Sequence, residues 1–324
     1  MLQKLTSLML LLPSCEEVSD CDMACTKPIT GYYAKSTNPS GKRSIVFDRK
    51  RAFSDLPVVL PCGMCLGCRI DKARQWSLRC VHEAKQHVFN SFVTLTYEDD
   101  HLPSDSAVNK RELQLFFKKL RKAGFVFRYY ASGEYGTINN RPHYHVLFFG
   151  IDFHEDRRLH RIQNEKRYYT SETLTRIWGN GRADITGLNI TTAQYVAKYI
   201  IGKKLGKDAE DDPVYSRLDL STGEWFSVNP EFVLMSRRPG IGSDWYDQYH
   251  TDAFPSDFLV HEGRTYGVPR YYTNKLRSKD ESAFKPIRAK RRREAEINKR
   301  TPEQLDAKHI ILQQKENQNR RNKV

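Results

Sequence analysis

Two histidines one residue apart, His143 and His145, stand in the stretch Arg141-Pro142-His143-Tyr144-His145-Val146-Leu147-Phe148-Phe149-Gly150. A polar, proline-marked entry, a β-branched and aromatic run and a glycine exit predict a strand. Successive strand side chains point to opposite faces, so the two imidazoles share one face and Tyr144, Val146 and Phe148 take the other. Paired imidazoles can hold one metal ion or one phosphate; hydrogen-bonded structural histidines use the same pattern. A strand at Phe125 to Tyr130 leads into Ser132-Gly133-Glu134-Tyr135-Gly136, read as a loop, and a short connection through Asn139-Asn140 predicts a hairpin with the His strand. That hairpin brings Glu134 near His143 and His145. Two neutral imidazoles and one carboxylate would leave open positions on a divalent cation, Mg2+ or Mn2+, for water and substrate oxygens.

Tyr195 and Tyr199 are the second chemical signal. Thr191, with Gln194 at the capping-box position, predicts the start of a helix. At 100° per residue Ala193, Val196, Ala197, Ile200 and Ile201 form its apolar face, and the two phenols lie one turn apart on the opposite face. Ordinary surface tyrosines would look the same. A tyrosine hydroxyl can also attack a phosphodiester in line, leaving a 3′-hydroxyl and a covalent 5′-phosphotyrosine. Free tyrosine has a pKa near 10, so a cation that polarises the phosphate would help, and Lys198 or Lys203 could favour the phenolate or hold the phosphate. The retained bond energy allows a later 3′-hydroxyl to reverse the step, and two nucleophiles a turn apart suit alternating cleavages.

Cys62, Cys65 and Cys68 follow a C-x-x-C-x-x-C spacing with glycines between them, and Cys25 is the choice for a fourth ligand. Structural zinc is favoured over an iron–sulfur cluster, since no further cysteine follows at the ferredoxin interval; reduced core cysteines are the third reading. The odd total of seven, with Cys15, Cys21 and Cys80, points away from a disulfide framework.

The elements that must position these groups are legible in part. Residues 25–61 read as irregular or short-stranded. Residues 69–87 predict a helix whose stripe is Ala73, Trp76, Cys80 and Ala84, with Arg69, Lys72, Arg79 and His82 on another face that could follow a phosphate backbone or simply be solvated. Phe92 to Tyr97 is a strand. Asn109 with Glu112 makes a capping box for a helix with Leu113, Phe116, Phe117 and Leu120 inside, ending at Gly124. After Gly150 comes a polar stretch, then a helix from Ser171 to Trp178, a break at Gly179 to Gly181, and a short strand from Ala183 to Leu188.

The 324 residues carry a net charge of +14, with 17 Tyr, 16 Phe and 4 Trp, a mixture of cations and aromatic platforms that suits nucleic acid. From Leu276 onward 15 Lys/Arg face 7 Asp/Glu, so +8 of the charge sits in the tail. No apolar run approaches a membrane-spanning length. Lys4, Leu8 to Leu12 and Pro13-Ser14-Cys15 resemble a short secretory signal, but Met23 begins a natural start and an extended reading frame is the preferred account.

The order Phe-Val-Thr-Leu-Thr-Tyr, Gly-Glu-Tyr-Gly, Arg-Pro-His-Tyr-His and Tyr-Val-Ala-Lys-Tyr resembles rolling-circle replication initiators of the HUH endonuclease superfamily. More narrowly it is similar to the initiation proteins of microviruses, especially gokushoviruses, from Met23 to about Lys275. Pro-Cys-Gly-x-Cys-x-Gly-Cys-Arg and Ser236-Arg237-Arg238-Pro239-Gly240-Ile241-Gly242 share in that likeness. Tyr144 departs from the aliphatic usual in the motif. The resemblance implies catalytic Tyr195 and Tyr199, metal ligands His143 and His145, and, as the most variable member, Glu134. It also implies an α+β fold: an HUH/RRM-like antiparallel sheet in β-α-β-β-α-β order with helices packed on it, plus an N-terminal Cys-rich, zinc-type segment and a basic C-terminal tail. The expected divisions are 1–22, an extension; 23–90, the Cys-rich segment and basic helix; 91–205, the endonuclease core; 206–275, a C-terminal extension; and 276–324, a basic tail, solvated helix or flexible. Arg237 and Arg238, with Trp245, Tyr246 and Tyr249, are candidates for single-stranded DNA.

The expected function is origin-specific nicking and joining of single-stranded DNA, with single-stranded and origin DNA, a host helicase and replication machinery as partners, in the cytoplasm of the bacterial host. The alternatives are a zinc-containing nucleic-acid-binding regulator without catalysis, an HUH relaxase or transposase, and a phosphodiesterase in which water attacks.

Overall fold

The computed structural model describes residues 25–321 apart from 40, 137–138, 203–212 and 219–221. Two compact units divide the chain, one of residues 1–62 with 251–324 and one of residues 63–250. The expected division at 205/206 therefore runs through the larger unit.

In the smaller unit β1 (Ile29–Thr37) is the central strand of a sheet ordered β2-β1-β3, with β2 (Arg43–Val46) and β3 (Val58–Leu60) antiparallel to it. This is the short-stranded region the composition suggested.

The larger unit begins with α1 (Leu66–Ala84), whose Ala73, Leu78, Cys80 and Val81 are buried. Next come β4 (Asn90–Thr96), α2 (Lys110–Lys122), β5 (Arg128–Tyr135) and β6 (Pro142–Phe149). Alternation along β4 buries Val93 and Leu95 on one face. The polar stretch after Gly150 is not a loop: β7 (Arg158–Gln163) and β8 (Lys166–Thr170) form a hairpin across Asn164 and Glu165, both at positive φ. Neither the alternation nor an Asn-Gly turn announced it, because every β7 residue is exposed. Then follow α3 (Glu172–Trp178), capped by Ser171 Oγ, β9 (Ala183–Thr186) and α4 (Ile190–Gly202). Past the undescribed stretches are β10 (Ser216–Leu218), β11 (Trp225–Ser227), β12 (Phe232–Met235) and α5 (Ser243–Ala253).

The central sheet is antiparallel, in the order β12-β5-β6-β4-β9-β8-β7. Within it β4-α2-β5-β6-α3-β9, with strands ordered β5-β6-β4-β9, is a β-α-β-β-α-β unit of the split type. The β7–β8 ribbon is an insertion extending one edge, and β12 closes the other beside β5.

Helices cover both faces. Leu113, Phe116, Phe117 and Leu120 of α2 and Leu174 and Trp178 of α3 pack on Val93, Tyr144, Val146 and Phe148. On the opposite face Cys80 and Val81 of α1 and Ala193 and Val196 of α4 pack on Tyr130, Leu147 and Phe149. The apolar stripe on α1 thus has its partner, α4 and the sheet, rather than solvent.

Two capping expectations need correction. Asn109 Oδ1 does accept from the Arg111 and Glu112 amides, but Glu112 accepts from the Tyr97 hydroxyl instead of closing the box; the Asn109 amide donates to Tyr144 Oη at 2.9 Å. At α4 the cap is Asn189, not Thr191: Asn189 Oδ1 accepts from the Thr192 amide (2.8 Å) and the Asn189 amide donates to Thr192 Oγ1 (2.9 Å).

In the C-terminal part of the smaller unit, β13 (Phe258–His261) and β14 (Arg264–Gly267) pair, then α6 (Arg270–Lys279), α7 (Glu281–Ile297) and α8 (Pro302–Arg321) follow. The tail is helical rather than featureless. Ile287 of α7 is buried, and Arg291 grips buried Asp257 through two guanidinium nitrogens at 2.5 and 2.6 Å. Among the described residues no helix is long and apolar enough to cross a membrane.

Candidate catalytic and metal-binding site

Antiparallel register places Glu134 directly opposite His143 and Ser132 opposite His145, while β4 sets Thr94 opposite His145 and Thr96 opposite His143. The expected hairpin is present, with one difference: Glu134 is not in a loop but within β5. Gly133 is a strand residue too. A Cβ there would stand 2.8 Å from the Phe232 ring, so the glycine lets β12 close on β5 just before Glu134.

Glu134, His143 and His145 offer one carboxylate oxygen and two ring nitrogens, all within 4.8 Å of one another. Glu134 Oε2 lies 3.7 Å from each Nε2. The Glu134 side chain is fully buried, and its Oε1 accepts from Ser132 Oγ at 2.5 Å. His143 Nδ1 donates to the Arg141 carbonyl (3.2 Å), and His145 Nδ1 pairs with Thr94 Oγ1 (3.1 Å). Those Nδ1 bonds aim both Nε2 atoms at the carboxylate, the orientation in which neighbouring groups commonly hold a ligating imidazole. Burial, and next the adjacent His143, keep the His145 imidazole well below its ordinary pKa, so it is neutral near pH 7. A neutral imidazole pair and a carboxylate form a donor set that fits a divalent cation.

Tyr195, half-buried on α4, sets its ring edge-on to His145 with centroids 5.1 Å apart, and edge-on to Phe92 at 6.2 Å. Phe92 in turn stacks on His145 (5.3 Å, 18°). Asn189 at the helix start and the buried Ala193, Val196 and Ala197 fix how Tyr195 meets the His strand. Lys198 and Tyr199 lie on the same helix, their side chains outside the description, and Lys203 lies outside the described residues. Thr94, Ser132 and Phe92 were not singled out in the sequence. Their only signal would have been β4–β6–β5 register, which a single strand pattern does not contain.

Tyr144, the departure from the aliphatic motif residue, points to the opposite face as expected. It is fully buried, accepts from the Asn109 amide and shares a 2.8 Å hydrogen bond with Tyr97 Oη. Burial pushes its phenol up to about 12.

The cysteines fall into two pairs. In the smaller unit Cys25 and Cys62 Sγ are 3.7 Å apart, with the Cys62 amide facing Cys25 Sγ at 3.3 Å. In the larger, Cys65 caps α1 and Cys68 stands in its first turn, their sulfurs within 4.8 Å. Cys80 is buried in the α1–α4 core, apart from either pair in its packing.

The basic candidates divide. Lys72 is exposed and Arg69 half-buried, but Arg79 Nε donates to the Ile241 carbonyl (3.0 Å) and its guanidinium covers Trp76, while His82 is buried and stacks on Trp245 at 3.6 Å. The expected common cationic face of α1 is therefore half spent on internal packing. Arg237 and Arg238 are exposed on a loop held from below: Arg128 donates to the Pro239 carbonyl, and Glu83 accepts from the Gly242 amide. Of the three aromatics beyond it, Trp245 and Tyr246 are buried and only Tyr249 is exposed.

A family model for the replication-associated protein ORF2 matches residues 90–204, from β4 through α4. The chain is 32% identical over 257 residues to the replication-associated protein ORF2 of Spiroplasma virus 4, covering 75% of each chain. This chain belongs to the phage replication-associated protein family. It is also 29% identical over 261 residues to the replication-associated protein VP4 of Bdellovibrio phage phiMH2K, covering 77% of this chain and 76% of that one. With the replication-associated protein ORF4 of Chlamydia phage 1 the figure is 27% over 229 residues, 67% of this chain and 53% of the relative. The microvirus-type initiator likeness drawn from the sequence stands on these relatives. No solved structure matches this family member.

Proposed function

We infer that the protein starts rolling-circle replication by nicking and rejoining single-stranded origin DNA through a tyrosine nucleophile, as an HUH-type, metal-dependent endonuclease and ligase. The observation that carries this reading is the Tyr195 ring, 5.1 Å from His145 within the Glu134–His143–His145 group. Family membership and the β-α-β-β-α-β sheet support it.

Glu134, His143 and His145 would hold Mg2+ or Mn2+, which when bound supplies charge to polarise the non-bridging oxygens of the scissile phosphate. Ser132 and Thr94 keep the carboxylate and His145 in place. Tyr195 Oη loses its proton and forms a bond to phosphorus; the P–O3′ bond breaks, and the 3′ oxygen departs with a proton. The product is a 5′-phosphotyrosine and a 3′-hydroxyl, and the reverse step joins strands without another energy source. Tyr199, one turn away on α4, is the second nucleophile, and Lys198 and Lys203 assist by holding phosphate or favouring the phenolate. Arg69, Lys72, Arg79, Arg237 and Arg238 are assigned to DNA, with Arg79 acting by positioning the 236–242 loop. Cys25, Cys62, Cys65 and Cys68 together bind structural zinc; only Gly63 and Met64 separate the two thiol pairs, so Cys62 and Cys65 can be at most about 11 Å apart along the chain. Residues 91–205 are taken as the endonuclease core and the flanking divisions as its appendages. The setting is the cytoplasm of the bacterial host, beside a host helicase.

The test incubates purified protein with a single-stranded origin oligonucleotide and Mn2+ or Mg2+, followed by denaturing gels. A covalent protein–DNA band in wild type, lost in Tyr195→Phe/Tyr199→Phe, in His143→Ala and without metal, is expected. Cleavage that survives loss of both tyrosines would convert the reading to a hydrolase, and binding without cleavage would convert it to a regulator.

A further inference from the structure

The β7–β8 ribbon has a function that its polar sequence did not suggest. Register assigns its faces. Tyr169 pairs with Leu159 and with Ile185 of β9, and packs into the α2–α3 side of the core. The neighbouring pairs, Arg158 with Thr170, Arg161 with Tyr168 and Gln163 with Lys166, therefore lie on the other side. Across the sheet Ser132, His145, Thr94 and Asp184 form one row. Arg161 reaches Asp184 at 3.5 Å, which puts the ribbon's cationic side on the same face as Glu134, His143 and His145.

Over β5, β6 and β4 that face is roofed by α1 and α4, whose apolar cluster takes in Tyr130, Leu147, Phe149 and Phe92 but no residue of β7, β8 or β9. Beyond β4 the face is open. Arg158, Arg161, Lys166 and Arg182 are exposed on it, and Tyr168 is half-buried under the Arg161 guanidinium at 4.3 Å. Asp184 is the one acid within these three strands, and Arg161 and Arg182 both pair with it.

We propose that the open half of this face, over β9, β8 and β7, is the track on which single-stranded DNA runs to the scissile phosphate. Arg158, Arg161, Lys166 and Arg182 neutralise its phosphates. From β6 to β7 is four strand steps, about 19 Å, a distance that a few nucleotides of extended strand cover. The cations are gathered on the one face continuous with the His pair, while the ribbon's reverse carries exposed Leu159 and Ile162; a single strand laid across a sheet fits this better than a duplex. The inference rests on the proposed nicking function for its direction, not for the binding itself.

The test uses full-length protein in EDTA, with fluorescein-labelled oligothymidine and a dA·dT duplex of equal length, by anisotropy over a salt series. Arg158→Ala/Arg161→Ala/Lys166→Ala should bind the single strand more weakly, with the log K against log[salt] slope shallower by about 2, or roughly 0.7 for each lost phosphate contact. The exposed α2 triple Lys118→Ala/Lys119→Ala/Lys122→Ala, on the opposite face, should match wild type. Circular dichroism checks that each variant is folded, and Arg158→Gln alone should give about a third of the slope change. An unchanged slope in the ribbon triple, an equal loss in the α2 triple, or a loss confined to duplex would overturn the track. On a nick-site oligonucleotide too short to reach β7, the ribbon triple should form the covalent adduct at the wild-type level. No adduct from wild type would sink the nicking reading alone, and the anisotropy would still decide the track.

Discussion

At the scale of single residues, the site depends on groups that hold the ligands as much as on the ligands. Thr94 Oγ1 is 3.1 Å from His145 Nδ1, and removing such a partner typically weakens a metal site 10- to 100-fold. Thr94→Val should therefore raise the Mn2+ concentration needed for half-maximal adduct formation by roughly one to two orders of magnitude, with circular dichroism unchanged. An effect under twofold would remove Thr94 from the site. His145 also makes a pH prediction for metal-free protein. Its folded pKa lies below the unfolded value of about 6.5, so the unfolded chain binds more protons in that window. Stability contributed by this group is fully present above about pH 6.5 and falls as pH drops below it toward the depressed folded pKa. Urea midpoints at several pH values, compared with those of His145→Gln, should show that slope in wild type only.

The elements explain why those residues meet. The hairpin of β5 and β6 builds the triad; α4 supplies Tyr195 only because Asn189 starts it and α1 packs along it. Buried Glu83 on α1 ties three pieces together: its Oε1 is 2.7 Å from Arg128 Nε on β5, and its Oε2 accepts from the Gly242 amide at 2.6 Å. Glu83→Ala would leave a largely buried arginine without its carboxylate and the loop amide without its acceptor. A loss of about 3–5 kcal/mol is expected for breaking a buried pair, read as a lower urea midpoint. A loss under about 1 kcal/mol, the range of an exposed pair, would mean that Arg128 finds another partner. Single-strand binding through Arg237 and Arg238 should weaken with it, since that loop rests on Arg128, Arg79 and Glu83.

For the molecule as a whole, the two units share the cysteine segment, two thiols from each. If all four hold zinc, one equivalent should copurify, and a chelator should lower the melting temperature, because binding free energy is folding free energy at such a site. Cys65→Ser should lose the metal; Cys80→Ala, in the α1–α4 core, should keep it. Retention of zinc by both Cys65→Ser and Cys68→Ser would rule the tetrathiolate out.

Much of this was legible in the chain itself. The spacing His143-x-His145, the hairpin that reaches Glu134, the α2 stripe and the Ser171 cap are local patterns with periods of 2 or 3.6, and local patterns survive without neighbours. The thiol spacing and the i, i+4 tyrosines are equally local. What only tertiary structure decided is non-local. Register across β4, β5 and β6 chose Thr94 and Ser132 as supports. The partner of the α1 stripe turned Arg79 and His82 inward, and packing buried Trp245 and Tyr246 that composition offered as DNA platforms. The β7–β8 ribbon escaped notice because a strand exposed on both faces has no hydrophobic alternation to display. A sequence determines which side chains an element can present on one face; which face is covered, and by what, is settled only when the other elements arrive.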